Sequence, residues 1–330
     1  MNARTISRRT AVAAVAALAA AAAAPAWAQA GWPSQNLRIV VPQTAGGPSD
    51  VVGRLFATRL GESLGRTVIV ENRPGAGGNI GTDLVAKSKP DGHTLLVNIV
   101  GILAINATLY RQMPFDAERD LDGIARVVSS QLALVAHPSV PVANVRELVA
   151  YVKSRPAGSI SFASAGTGSP QHIGGELLNA KAGIKLNHVP YKGAVPALQD
   201  LLGGHVPLAI VGLPAVLQPA AAGQLKILGV FGGQRSPVAR EVPTFVESGF
   251  PEIEMELAYG VYAAKGTPRP IVERLNRELG AVLQVPEVRE RLAAAGFEIG
   301  HSSPAALDAY LKSEIAKWRP IVRDSGATPD

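Results

Sequence analysis

Leu37-Arg38-Ile39-Val40-Val41-Pro42-Gln43-Thr44-Ala45-Gly46-Gly47-Pro48-Ser49-Asp50 is a run of strand-forming residues that breaks into a glycine-rich turn. Val51 to Leu64 then follows with helical spacing, which puts Val52, Leu55, Phe56, Leu60 and Leu64 on one side. Val68-Ile69-Val70 reads as the next strand, Arg73 to Gly81 as a second glycine-rich turn, and Ile80 to Ser88 as a short helix. Asp91-Gly92 turns into a third strand, Thr94 to Val97. Strands separated by helices imply a mostly parallel sheet with both faces covered.

The same order then returns. Ile160 to Ala163 is strand-like, Ala165 to Gln171 is a glycine-rich turn, and Ile173 to Ala182 is helical. Leu186 to Val189, the turn Tyr191-Lys192-Gly193-Ala194, the helix Val195 to Leu202 and the strand Val206 to Val211 complete a second unit. Asp91-Gly92-His93 and Gly203-Gly204-His205 fall at corresponding places. Two copies of one strand–turn–helix unit are the sequence image of two similar domains. After the proline- and acid-rich stretch Pro243 to Glu256 comes one more strand, Leu257 to Ala263. Helical spacing then covers Pro270 to Leu283, Glu287 to Ala295 and Pro304 to Val322. These helices carry too little apolar surface to stand alone and are expected to pack on the first domain. The predicted fold class is therefore α/β with two domains, each a mostly parallel sheet flanked by helices, and a cleft between them. Residues 29–130 plus 251–330 form one discontinuous domain and 131–250 the other, with two chain crossings as a hinge.

The turns carry the chemistry. A helix start has unpaired N–H groups and a partial positive charge, so it can hold a carboxylate or a phosphate. Thr44-Ala45-Gly46-Gly47-Pro48-Ser49-Asp50 offers such a start, with glycine for close approach and hydroxyls as donors. Taken alone, Ser49 or Asp50 could equally be a plain helix cap. Ser164-Ala165-Gly166-Thr167-Gly168-Ser169-Pro170 has the same place and chemistry in the second unit. In open α/β sheets ligands sit beyond the carboxyl ends of the strands, so two facing domains would aim both turns into one cleft. His172 could reach a ligand or serve as a cap or packing residue. Asn79, in Gly75-Ala76-Gly77-Gly78-Asn79-Ile80-Gly81, could border the cleft. Lys192 could pair with a carboxylate or stay solvated.

Composition narrows the classes further. The 330 residues contain no cysteine, which excludes disulfides and thiol catalysis. The six histidines form no H-E-x-x-H pair, no serine lies in G-x-S-x-G, and no carboxylates are paired as glycoside hydrolysis requires, so no catalytic residue and no metal site is assigned. Gly75 to Gly81 misses the dinucleotide register, and no cofactor is expected. Lysines and arginines are scattered and aromatics make up 5%, which leaves nucleic-acid binding without support. Arg4, Arg8 and Arg9, the apolar run Ala11 to Ala24 and Ala26-Trp27-Ala28 read as a signal peptide cleaved after Ala28, hence export to the periplasm. Ser7-Arg8-Arg9 leaves both general and twin-arginine export open. Removal of 28 residues leaves 302, and the formal charge of +6 loses three arginines to become +3. A mild positive balance suits a small anion.

The ordered blocks Val40-Val41-Pro42, Ala45 to Asp50, Val70 to Gly81, Pro90 to Leu95, Ser164 to Ser169, His188 to Gly193, Pro243 to Gly249 and Gly266-Thr267-Pro268 resemble the Bug-type solute receptors of tripartite tricarboxylate transporters over the whole mature chain. The resemblance implies a periplasmic-binding-protein fold, a monomer, a carboxylate enclosed between two domains, and delivery to a membrane permease. It points to Gln43, Thr44, Ala45, Gly46, Gly47, Ser49 and Asp50 as one ligand loop. Ser164, Ala165, Gly166, Thr167, Gly168 and Ser169 are the other, with Asn79, His172 and the segment after Val97 beside them. Gln43 stands where the family often has an aromatic residue, and Pro207 and Gly212 where aspartates are common. Loss of acidic groups near a cleft disfavours an amino-acid ligand, whose ammonium needs a partner. A sensory co-receptor shares the same binding chemistry with another membrane partner, and an exported hydrolase would need a polar triad that the sequence does not display.

Overall fold

The computed structural model describes residues 31–325, 327 and 328. The signal segment 1–28 and its cleavage site lie outside them. The opening stretch forms strand β1 (Leu37–Val41) and helix α1 (Pro48–Leu64), whose Val52, Phe56, Leu60 and Leu64 are buried. Gly65 ends α1 at φ 64°, a conformation that costs a Cβ-free residue nothing. Then come β2 (Val68–Asn72), a single 3₁₀ turn at Ala76–Gly78, α2 (Asn79–Ala86), β3 (Thr94–Ile99) and α3 (Val100–Leu109). A 16-residue strand, β4 (Leu121–Ala136), leads to α4 (Val145–Lys153).

The second unit is β5 (Ser161–Ser164), α5 (Pro170–Ala182), β6 (Asn187–Pro190), α6 (Ala194–Leu202) and β7 (Leu208–Gly212). After it come α7 (Leu217–Ala221), β8 (Lys226–Val230) and β9 (Glu256–Ala264). The chain closes with α8 (Arg269–Gln284), α9 (Pro286–Ala294), β10 (Glu298–Ile299) and α10 (Pro304–Asp324). Helix α8 packs on α1 and β4, and α10 on α3 and β4.

One mixed sheet runs through both lobes in the order β2-β1-β3-β9-β4-β7-β5-β6, with β8 and β10 also paired to β4. Within each unit the pairs β1–β2, β1–β3, β5–β6 and β5–β7 are parallel. The middle departs from the mostly parallel expectation, because β3–β9, β9–β4, β4–β7 and β4–β8 are antiparallel. Direction explains this. Strand β4 runs toward the cleft beside β9 and away from it beside β7, whose own carboxyl end lies at the cleft. It opposes β9 because β9 itself runs away from the cleft, antiparallel to β3, and it opposes β7 because it leaves the cleft that β7 approaches. Residues Leu121–Gln131 pair with β9 and Leu132–Ala136 with β7.

The pleat of β4 divides the core. Leu132, Leu134 and Ala136 join the large cluster that spans both lobes, while Ala133 and Val135 join a second cluster under α6 with Ala197 and Leu201. A second passage between the lobes lies beside the strand's midpoint, where Phe231 N–H donates to Leu132 O (2.9 Å) and Met255 N–H to Phe231 O (2.8 Å). No described helix is long and apolar enough to cross a membrane.

Candidate ligand-binding site

A cavity of about 540 Å³ lies between the lobes, at the carboxyl ends of β1, β2, β3, β5, β6 and β7. That volume is in the range of small-molecule sites. Among the described residues five helices begin at its wall: α1 at Gly47-Pro48, α2 after Gly75 to Gly78, α3 after Ile99, α5 after Ser169, and α6 at Gly193-Ala194. Each start contributes N–H groups that its own helix cannot satisfy and a partial positive charge. Among the described residues Lys192 is the only ionisable side chain in the wall apart from Tyr110, Tyr191 and Tyr259, and no described Asp, Glu or His lines the cavity. Ile99, Ile102, Leu257 and the rings of Tyr110 and Tyr259 make an apolar flank. The arrangement can hold an anionic group by backbone donors and accommodate a hydrocarbon body beside it.

The two expected loops meet here, though not with every residue. Gln43, Thr44, Gly47 and Ser49 line the cavity from one lobe, and Ala165, Gly166, Thr167 and Ser169 from the other. Ala45, Gly46, Asp50, Asn79, Ser164, Gly168 and His172 do not; several of them hold the wall from behind. Asp50 accepts from Gly46 N–H (2.9 Å) and from Arg54 Nε (2.9 Å) through one oxygen. Burial pushes its carboxyl up, yet these bonds outweigh it and keep it below the usual carboxylate range. Asp50 therefore ties the first loop and does not cap α1, whose N-cap, Gly47, has no side chain. Asn79, 4% exposed, accepts from Asn106 Nδ2 (2.8 Å), which also donates to Gly77 O (3.0 Å), so the pair fixes the turn at the end of β2.

Ser164 is fully buried, with its hydroxyl 2.6 Å from His188 Nε2 and within 3.1 Å of both Gly166 N and Gly166 O. A serine–histidine pair of this kind is a nucleophile only if substrate can reach the oxygen; this one braces the turn. Ser169 caps α5 by accepting from His172 N–H (3.2 Å) and donates to Gly166 O (2.7 Å). His172 Nδ1 accepts from Gly168 N–H (3.0 Å), and its ring stacks on His188 at 3.8 Å.

Gln43 has a determined orientation. Asn98 Oδ1 accepts Ile99 N–H (2.8 Å), so the Gln43 atom 2.8 Å away must be the amide nitrogen. At the other end Thr82 Oγ1 donates to Gly78 O (2.9 Å), which leaves it to accept from Asn98 Nδ2 (3.2 Å). A backbone donor and a backbone acceptor thus anchor the polarity of the chain from Gln43 to Gly78. Lys192 and the segment after Val97, here Ile99 and Ile102, lie in the wall as the sequence allowed, whereas Gln171, the Pro74–Gly78 wall, Tyr110, Tyr191, Gly193 and Ala194 were not foreseen as wall residues. Glycine directly before a helix start, at Gly78 and Gly193, was the available signal. Tyr191 is held by donating to Asp200 Oδ2 (2.6 Å), a bond that with burial pushes its hydroxyl up to about 12.

Comparison with known proteins agrees with this geometry. Residues 52–327 match the family model described as tripartite tricarboxylate transporter family receptor. Protein BugT of Bordetella pertussis is 38% identical over 297 residues, covering 90% of this chain and 91% of the relative. The solved structure of R. palustris Rpa4515 with adipate is 34% identical with a TM-score of 0.86, covering 91% of this chain and 100% of that one. MatC from Rhodopseudomonas palustris with bound malate is 31% identical with a TM-score of 0.83, covering 88% and 100%. The fold is thus matched along nearly the whole chain, and the protein belongs to the tripartite tricarboxylate transporter receptor family of periplasmic solute-binding proteins.

Proposed function

We propose that this chain captures a small organic acid without an amino group and hands it to a membrane permease of the tripartite tricarboxylate type, without changing it chemically. The observation that carries the reading is the convergence of five helix starts on one cavity that has no acidic side chain among its described wall residues. Helix starts attract a carboxylate. An ammonium would have to leave water with no charged partner, which is costly. Gly212, at the end of β7, lies in this wall and supplies no carboxylate. The adipate and malate bound by the two related structures are carboxylates without amino groups.

On this reading residues 29–130 with 251–330 are one lobe and 131–250 the other, and the mature chain acts in the periplasm as a monomer. Gln43, Thr44, Gly47, Ser49, Ala165, Gly166, Thr167 and Ser169 contact the ligand. The test is native mass spectrometry of the gently purified mature protein, followed by a thermal-shift screen of aliphatic, hydroxylated and aromatic acids beside aspartate and glutamate. A retained acid, or stabilisation by one non-amino acid, supports the reading, because a ligand that binds only the folded state raises its stability. Stabilisation by aspartate or glutamate above all others overturns the ligand class, and by sugars or cations overturns the anion cradle.

A further inference from the structure

Behind the second loop lies a group of side chains that the binding chemistry does not use. His172, 5% exposed, and His188 stack face to face at 3.8 Å with 13° between their planes. Phe162 packs on His188 at 5.1 Å. Neither histidine lines the cavity. Each holds a different residue of the Ser164–Ser169 loop: His188 Nε2 is 2.6 Å from Ser164 Oγ, and His172 Nδ1 accepts Gly168 N–H at 3.0 Å. Gly168 has φ 74°, so a backbone that most residues avoid is pinned by one imidazole nitrogen.

Gly168 is also where the lobes touch. The Cδ2 of Leu109, the last residue of α3 in the first lobe, fills the space that a Cβ on Gly168 would need. Leu109 is 5% exposed and therefore seated. Imidazole, loop and opposite lobe thus lie in one line of contacts: His188, His172, Gly168, Leu109. A nitrogen that accepts an N–H is fixed in role, and the stack fixes the plane of its ring. The Gly168 amide is held where the notch for Leu109 needs it.

We propose that His172 is a positioning residue for ligand capture, whose Nδ1 shapes the notch at Gly168 into which Leu109 of the other lobe seats when the cleft closes. The inference rests on the capture reading for its purpose, but its geometry can be tested without a ligand. The substitution His172→Asn keeps an acceptor near the place of Nδ1, whereas the longer side chain of His172→Gln reaches toward the place of Nε2 and that of His172→Leu offers no acceptor at all. The experiment is hydrogen exchange by mass spectrometry and small-angle scattering on the mature chain and on His172→Asn, His172→Gln, His172→Leu and Leu109→Ala, followed by titration with adipate as the probe.

The expected result is that His172→Leu and His172→Gln speed exchange across 166–169 and at 105–110 by about tenfold or more, while His172→Asn stays within about twofold of wild type. Leu109→Ala is expected to leave 166–169 protected while expanding the particle as the His172→Leu variant does. Equal protection of 166–169 in all three His172 variants overturns the role of Nδ1. Loosening of 166–169 without change at 105–110 or in the radius of gyration overturns the link to closure. If wild type fails to bind adipate, the titration bears on the ligand assignment alone, and exchange and scattering still decide this proposal.

Discussion

Asp50, Asn79 and His172 look like ligand groups in the sequence and act as struts in the fold. Each is polar and lies in the first turn of a helix that follows a glycine-rich loop; Asp50 and His172 turn their side chains onto the loop backbone, and Asn79 onto Asn106, which itself donates to Gly77 O. The backbone then faces the cavity. Side-chain type reveals that a turn is polar, but not which way a rotamer points, so these three could not be separated from Thr44 or Ser49 by reading. Asp50→Asn removes the charge from two charge-assisted bonds, one to the first loop at Gly46 and one to Arg54 within α1, and is expected to lower the melting temperature by roughly 2–4 °C. Differential scanning fluorimetry of the ligand-free protein measures it; an unchanged midpoint contradicts the strut.

His188 gives a pH signature at the same scale. Burial first, and neighbouring His172 second, push it down to about 3 from an ordinary value near 6.5. The unfolded chain binds a proton there that the folded chain refuses. Its contribution to stability is therefore complete above about pH 6.5 and is lost as the pH falls from there toward 3. The melting temperature of wild type should fall across that window, and His188→Gln should flatten part of the decline. Parallel profiles for the two proteins would assign the acid sensitivity to other groups.

At the scale of elements, legibility followed periodicity. Helix α1 announces itself by the spacing of Val52, Phe56 and Leu60, whose side chains are buried. Helix α3 does not, because it is buried almost all round, from Val100 to Asn106 and at Leu109, and shows no polar face. Strand β4 hides for a related reason. Nearly every residue from Gly123 to Ala136 is buried on one face or the other, so no alternation marks it, and its partner β9 lies more than 100 residues away.

Helix α5 offers a sharper test through its paired glycines. A Cβ on Gly175 would strike the fully buried ring of Phe162, whereas one on Gly174 would lie 3.1 Å from Phe231 Cε1. Replacing glycine by alanine within a helix gains about 1 kcal/mol, and overpacking costs about 1–3. Gly175→Ala is therefore expected to destabilise by about 1–2 kcal/mol, and Gly174→Ala to be within about 1 kcal/mol of neutral. Urea unfolding at equal slope reads both; a stabilised Gly175→Ala variant would mean that α5 shifts freely on the sheet.

The whole molecule is organised by contacts at the cleft and by the strand beneath it. Thr44 and Gly193 meet across the opening, where a Cβ on Gly193 would come 2.7 Å from Thr44 Oγ1 and where φ is 117°. Gly193→Ala should hold the lobes apart and raise the radius of gyration. Adding Thr44→Ala should recover part of that change, since it removes the obstructing atoms. Scattering curves of the two variants check this, and identical curves for Gly193→Ala and wild type refute it. The repeat of strand, turn and helix made the two lobes legible in the sequence, but nothing in it signalled that β4 joins them as one uninterrupted strand.

The sheet order also sets a timetable for synthesis. Strand β3 and the first half of β4 share β9 as their partner, and β9 spans residues 256–264. While the chain emerges from the ribosome, β5, β6 and β7 can already find each other, but β1 to β3 wait beside an empty place until β9 arrives. Helix α10, which covers α3, comes later still. The lobe made first is thus the lobe finished last, and a nascent chain of 250 residues carries one assembled lobe and one exposed half-sheet, the form that a chaperone would meet.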